Sequence, residues 1–263
     1  MNYSRPLSIA TSVGWSQNLS SFNPKTIIKS ATTTLHSVVL QNWQRIWILF
    51  LWGSTMAALF IWKFLQYKNR AAFNIMGYCL PTAKGAAETL KFNMALILLP
   101  VCRNTLTWLR STAARSVVPF DDNINFHKLI ACFIAVGIVV HGGVHLACDF
   151  PRLARSSREE FEVISSDFHN KKPSYKELLM SVEGVTGIVM VVLMGISFTL
   201  ATHRFRRNVV KLPWLLNRLA GFNAFWYSHH LMGIVYLLLL VHGTFLFLAH
   251  SWTQKTVTRH PVW

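Results

Sequence analysis

Polar and apolar positions fall in long alternating blocks along this chain rather than being mixed residue by residue. Charge-free or nearly charge-free apolar blocks lie at Arg45–Lys63, Phe92–Cys102, Phe126–Cys148, Gly184–Thr202 and from about Leu219 to about Ala249. An apolar run of roughly 18–20 residues is what a helix needs to cross a bilayer. The pattern therefore predicts an all-α, multi-pass transmembrane helix bundle of about five spans. The second block is the weakest. Lys84, Glu88 and Lys91 precede it at helical spacing, and Pro100 predicts a kink because its ring removes a backbone donor. Residues 1–40 read as a polar cytoplasmic leader with a short interfacial helix around Leu35–Trp43, residues 41–255 as the membrane domain and 256–263 as a short tail. Asp149–Val182, which holds Glu159, Glu160, Glu162, Asp167 and Glu177, reads as a soluble loop.

Composition supports the membrane assignment: 52% of residues are hydrophobic and only 14% are charged. The formal charge of +16 raises nucleic acid as a partner. Its Lys and Arg residues, however, sit in short segments between apolar runs, which suits anionic lipid headgroups and excludes a nucleic-acid stripe. Arg103, Arg110, Arg115 and Lys128 follow the second block, and Arg204, Arg206, Arg207, Lys211 and Arg218 follow the fourth. The positive-inside rule puts both connections in the cytoplasm, so the N-terminus is expected there too and the acidic loop outside. Lys63, Lys68 and Arg70 argue the other way, against the majority. Cys79, Cys102, Cys132 and Cys148 form no CxxC pair and suggest no disulfide framework, zinc site or iron–sulfur cluster. Cys102 and Cys132 read as small buried thiols.

Histidines change the picture. Phe222–Leu248 has no Lys, Arg, Asp or Glu, yet it contains His229, His230 and His242, and the third block contains His127, His141 and His145. Imidazoles within a span are costly without a partner. His127 and His141 are 14 residues apart, which is close to four turns and roughly 21 Å of helix rise, so they share a face at two depths. His229 and His242 are 13 apart, matched in depth but rotated by roughly 140° on an ideal helix. A bend or π-bulge in that span would bring them into phase. The depths pair His127 with His229 and His141 with His242, one imidazole from each helix on each of two six-coordinate irons, which predicts two stacked b-type haems. Two other arrangements compete. Single membrane histidines often bond Ser, Thr or carbonyl groups, and a transition-metal transport site would gather its ligands at one depth with carboxylates.

At these residues the chain also becomes recognisable. FHKLIACFIAVGIVVHGGVHLACDFPRL, LKFNMALILLPVCRNTLTWLR, GVTGIVMVVLMGISFTLAT and GFNAFWYSHHLMGIVYLLLLVHG resemble the membrane domain of the superoxide-generating NADPH oxidases. The wording is most similar to the plant respiratory burst oxidases, within the ferric reductase-like transmembrane superfamily, over about Gln41–Lys255. The resemblance implies a relay from cytosolic NADPH through FAD and two haems to molecular oxygen outside, with a plasma-membrane location. Carried over by position, His127 and His229 are implied as inner-haem ligands, and His141 and His242 as outer-haem ligands. Arg103 and Arg110 match arginines that meet haem propionates, and they serve equally well as positive-inside anchors. Lys84 and His145 match positions beside the outer haem where oxygen is reduced. For His145, a polar residue at the membrane edge is an equal alternative. Between the haems, where some family members place an aromatic residue, this chain has Val235 next to Tyr236.

The same resemblance implies a sixth helix and FAD and NADPH domains, which the sequence lacks; no GxGxxG or Walker-type motif occurs. Asp121–Asn125 opens like a calcium loop, but Phe126 stands at its glycine position and Cys132 at its bidentate glutamate. The expectation is thus the haem-carrying portion of an oxidase, truncated before the sixth helix and working with a flavin reductase domain or a full-length oxidase. Alternatives are a non-catalytic paralogue that binds haem or associates with full-length oxidases, a transmembrane metal reductase, and a bundle that has lost haem.

Overall fold

The computed structural model describes residues 24–168, 170–210, 213 and 220–244, with the side chains of 24–31 left aside. The described elements are helical. Helix α1 is Pro24–Lys68, α2 Phe73–Met76, α3 Cys79–Leu96 and α4 Arg103–Arg110. Helix α5, Asn123–Val144, continues through a π-helical turn, His145–Asp149, into α6, Phe150–Arg155. Next come α7 (Arg158–Glu162), α8 (Tyr175–Leu179), α9 (Val182–Ala201), α10 (His203–Arg206), α11 (Phe222–His229) and α12 (Leu231–Thr244). Among the described residues four helical stretches are long and apolar enough to cross a membrane, and five if α3 and α4 count as one interrupted span. Val139, Leu237 and Leu240 are about two-thirds exposed or more, which suits a surface solvated by lipid tails rather than water.

Several boundaries differ from the expectations. The first helix starts at Pro24 and absorbs the interfacial helix expected at Leu35–Trp43. The second begins at Cys79, so Lys84, Glu88 and Lys91 lie on α3 itself, and the break expected at Pro100 is a 3-10 turn, Leu99–Val101. The fifth span is split at His230 into α11 and α12. Its expected ends at Leu219 and Ala249, the leader before Pro24 and the tail at 256–263 lie outside the described residues. Cys102 and Cys132 are exposed, not buried, because apolar runs in a bundle also supply its lipid-facing side.

The structure divides into two units, one of residues up to Thr55 with Leu99–Phe126, the other of Met56–Leu98 with residues from His127 onward. In the first, the connection after α4 is tied to α1. Gln44 donates to the Ser116 carbonyl and the Trp47 indole to the Val117 carbonyl, each at 2.8 Å. Arg45 pairs with Asp122, and Trp52 meets Phe126 edge-on at 5.8 Å.

In the second unit, α9 buries Met190, Met194 and Ser197, a face at three- and four-residue spacing, and packs on α11 and α12. The Ser197 hydroxyl donates to the Ser228 carbonyl at 2.6 Å, where α11 ends. On α3, Gly85 lies under the Phe60 ring and Leu90 lies against Gly137 of α5, so small residues allow close helix approach. The segment read as a soluble loop is instead an ordered cap with its own core. Phe150, Leu153, Phe161, Ile164 and Leu178 pack with Ala72, Met76 and Leu80. Ser157 with Glu160 and Ser174 with Glu177 form capping boxes that start α7 and α8. Asp149, counted with that loop, is fully buried at the end of the π-helical turn. A disulfide joins Cys79 to Cys148, where the sequence suggested no disulfide framework. Two cysteines 69 residues apart carry no pairing signal until the fold brings α3 and the π-helical turn together.

Candidate functional site

The histidines of α5 face those of α11 and α12 in two layers. The rings of His127 and His229 have centres 6.3 Å apart, and those of His141 and His242 are also 6.3 Å apart. Between His229 and His242 the α-helix is interrupted at His230, where the His230 N–H bonds the Tyr227 carbonyl and the Gly233 N–H bonds the His230 carbonyl, a tighter i to i+3 turn that shifts the phase of the two rings. The His230 ring turns to its own helix: its Nδ1 bonds the Trp226 carbonyl at 2.7 Å, and its ring lies 4.9 Å from Trp226.

Hydrogen bonds fix the rings. His127 Nδ1 lies 2.9 Å from the Ile97 carbonyl and His141 Nδ1 lies 3.0 Å from the Ala83 carbonyl. A carbonyl oxygen only accepts, so both Nδ1 atoms carry the proton and both Nε2 lone pairs are left for another partner. His242 Nδ1 lies 3.0 Å from the Thr186 hydroxyl, which itself donates to the Val182 carbonyl at 2.6 Å; the hydroxyl therefore accepts from His242. A Cβ on Gly187 would meet the His242 ring at 3.4 Å, so α9 approaches this ring closely. His229 Nδ1 is buried with no hydrogen-bond partner among the described residues.

The two imidazoles of each layer would suit a metal-centred group held between them. An imidazole nitrogen sits about 2.0 Å from a first-row metal and about 1.1–1.2 Å from its own ring centre, so two imidazoles across one ion have centres roughly 6.3 Å apart. Both observed separations match that value. Locking Nδ1 to an acceptor is also how proteins orient metal-binding histidines.

The second layer has further polar neighbours. The His145 ring is 4.8 Å from that of His141, and its Nδ1 is 2.8 Å from an Asp149 carboxylate oxygen. Lys84 follows Ala83, the residue whose carbonyl holds His141, on α3, and its Nζ lies 5.5 Å from the Tyr67 ring centre. Lys84 and His145 therefore join the His141–His242 layer. Val235 is buried on α12, and the neighbouring Tyr236 hydroxyl donates to the Met94 carbonyl at 2.7 Å. Arg103 opens α4, and Arg110 closes it with a 2.7 Å ion pair to Asp121. Sequence reasoning missed Asp149 and Thr186. A buried Asp four residues after His145 was visible as spacing, but it was placed in the loop.

Residues 85–240 match the family described as ferric reductase like transmembrane component, and the chain belongs to that family. Among curated proteins it is 60% identical over 97% of its length to respiratory burst oxidase homolog protein E of Arabidopsis thaliana. It is 56% identical to homolog protein A of Solanum tuberosum and 57% identical to homolog protein F of Arabidopsis thaliana, each over 97% of this chain. The chain spans about a quarter (27%) of the length of each of these relatives.

Proposed function

We propose that this chain is the transmembrane electron-transfer part of a respiratory burst oxidase-like NADPH oxidase, with His127 and His229 ligating a haem at the cytosolic side and His141 and His242 ligating a second at the far side. The observation that carries this reading is the repeated 6.3 Å separation of ring centres, with three of the four rings held as Nδ1–H tautomers. Bound b-type haems supply one-electron redox centres at two depths of the bilayer. The protein's own part is to fix those depths, to present Nε2 atoms and to exclude water with apolar neighbours such as Val235.

Chemistry at one end supports a direction. The Cys79–Cys148 disulfide belongs with the His141–His242 layer, since Cys79 lies one turn before Ala83 and Cys148 closely follows His145. Disulfides persist in oxidising compartments, which supports placing this layer at the outer face of a plasma membrane and the N-terminus in the cytosol. There Lys84 stabilises the negative charge that develops as oxygen accepts an electron, and His145 offers an N–H beside it. Electrons come from FAD and NADPH modules like those implied for the longer oxidases, joined to or associated with this chain.

The testing experiment is expression in membranes followed by dithionite-reduced minus oxidised difference spectroscopy. Two b-type haems per chain, reoxidised by oxygen, are expected. A protein of normal abundance without haem would leave only a scaffold role.

A further inference from the structure

Helix α3 and the residue after it carry one acceptor carbonyl for each histidine layer. The Ala83 carbonyl accepts from His141 and the Ile97 carbonyl from His127. The two acceptors are 14 residues apart, as His127 and His141 are, so α3 and α5 run antiparallel in register. Their surroundings differ. Ala83 lies inside the regular helix Cys79–Leu96, where backbone hydrogen bonds fix its carbonyl. Ile97 follows the last helical residue, so no further turn of α-helix holds its carbonyl in place. The last four carbonyls of a helix lack intrahelical partners, and in α3 these are Asn93 to Leu96. The Asn93 carbonyl takes the Ile97 N–H at 2.9 Å. The Met94 carbonyl takes a group from another helix, the Tyr236 hydroxyl of α12, at 2.7 Å. Met94, Ile97 and Val235 are all buried, so a carbonyl deprived of that phenol has little water to turn to. Tyr236 thus holds the end of α3 three residues before the carbonyl that orients His127.

We propose that Tyr236 is a positioning residue for the first histidine layer: its hydroxyl caps the end of α3 at Met94 and thereby keeps the Ile97 carbonyl on His127 Nδ1. The inference rests on the functional reading above for the group that His127 ligates, whereas the hydrogen-bond chain from Tyr236 to His127 does not require it. An acceptor on Nδ1 makes an imidazole a more basic ligand, which favours the oxidised metal. Loss of the Tyr236 hydroxyl weakens that acceptor in the first layer. The second layer, whose acceptor sits inside the helix, keeps its own.

The test is Tyr236→Phe, which removes the hydroxyl and keeps the ring. In the full haem-loaded chain in lipid nanodiscs, redox titration follows both haems, and the first-layer couple is the one retained in His141→Leu. At unaltered haem content, the first-layer equilibrium is expected to move about tenfold toward the reduced form, a rise of about 59 mV for a one-electron couple. The other couple is expected to stay where it was. An unmoved first couple, or equal movement of both, overturns the proposal. A second measurement uses the full chain without haem, labelled with nitrogen-15 histidine, at a pH where imidazoles are neutral. His127 is assigned by its disappearance in His127→Gln. Tyr236→Phe is expected to weaken the hydrogen-bond shift of His127 Nδ1–H and to leave that of His141 as in the wild type. An unchanged His127 shift overturns the proposal. If no version binds haem, the functional reading fails and the histidine shifts decide alone; if the haem-free chain does not assemble, the titration decides alone.

Discussion

Cys79 and Cys148 form a disulfide that pins the first turn of α3 to the π-helical turn at the end of α5. Residues on both sides of this link serve the second histidine layer. Ala83, one turn on from Cys79, holds His141, and His145 lies three residues before Cys148. Breaking it releases a closed loop of 69 residues, for which chain-entropy arguments give about 4 kcal/mol. Cys79→Ser with Cys148→Ser is expected to lower the melting temperature of the detergent-solubilised chain and to remove the mobility difference between reduced and non-reduced gels. An identical gel pattern in wild type and variant would show that the link does not form in the membrane.

His229 and His230 are adjacent but face different partners, since His230 bonds its own helix at Trp226 and His229 faces His127. His230→Leu is expected to leave haem content within about a tenth of wild type, and His229→Leu to remove one haem, as loss of an axial ligand does. Haemochromogen assay of both purified variants checks this. The opposite ranking would transfer the ligand role to His230.

Gly184 sits where α8 turns into α9. A Cβ there would run into the carbonyl oxygens of Leu178 and Leu179, which are backbone atoms and cannot swing aside. Gly184→Ala is expected to destabilise the chain by roughly 1–3 kcal/mol, the range for overpacking. Gly195, whose Cβ direction is open, is the control: Gly195→Ala is expected to be neutral or mildly stabilising through helix propensity. Thermal melts of the two variants provide the comparison.

Glu177 closes the capping box of α8, and its carboxyl is held down at about 2 by the Ser174 backbone N–H, with further help from Lys171 and the Ser174 hydroxyl. A depressed carboxyl stabilises the fold above its unfolded value, about 4.3, and the contribution fades as pH falls toward the folded value. The protection of the α8 amides, expressed relative to the intrinsic exchange rate at each pH, is therefore expected to be steady from neutral pH down to about 4.3 and to fall below it. In Glu177→Gln that pH dependence should be gone.

The first helix pair was legible because 14 residues of unbroken α5 keep His127 and His141 in phase. The second was legible in depth and not in phase, since periodicity assumes one straight helix and the chain breaks at His230. The cap was misread for a different reason. Its helices α6 to α8 are five or six residues long, too short to show a period, and they are specified by capping boxes and by Phe150, Phe161 and Leu178 meeting Met76 and Leu80. Asp149 was assigned to water by its charge, whereas the π-helical turn and His145 bury it. The exposed Cys132 shows the inverse error, because an apolar sequence in a bundle does not say which face meets lipid.

The central claim is that the four histidines form two independent layers. Its most direct measurement is the haem-to-protein ratio, with redox titration, of wild type, His141→Leu and His242→Leu. The account predicts two haems in the wild type and one in each variant, with the same single midpoint potential remaining in both, because each substitution empties the same layer. Retention of both haems in either variant, or survival of a different haem in each, would contradict it.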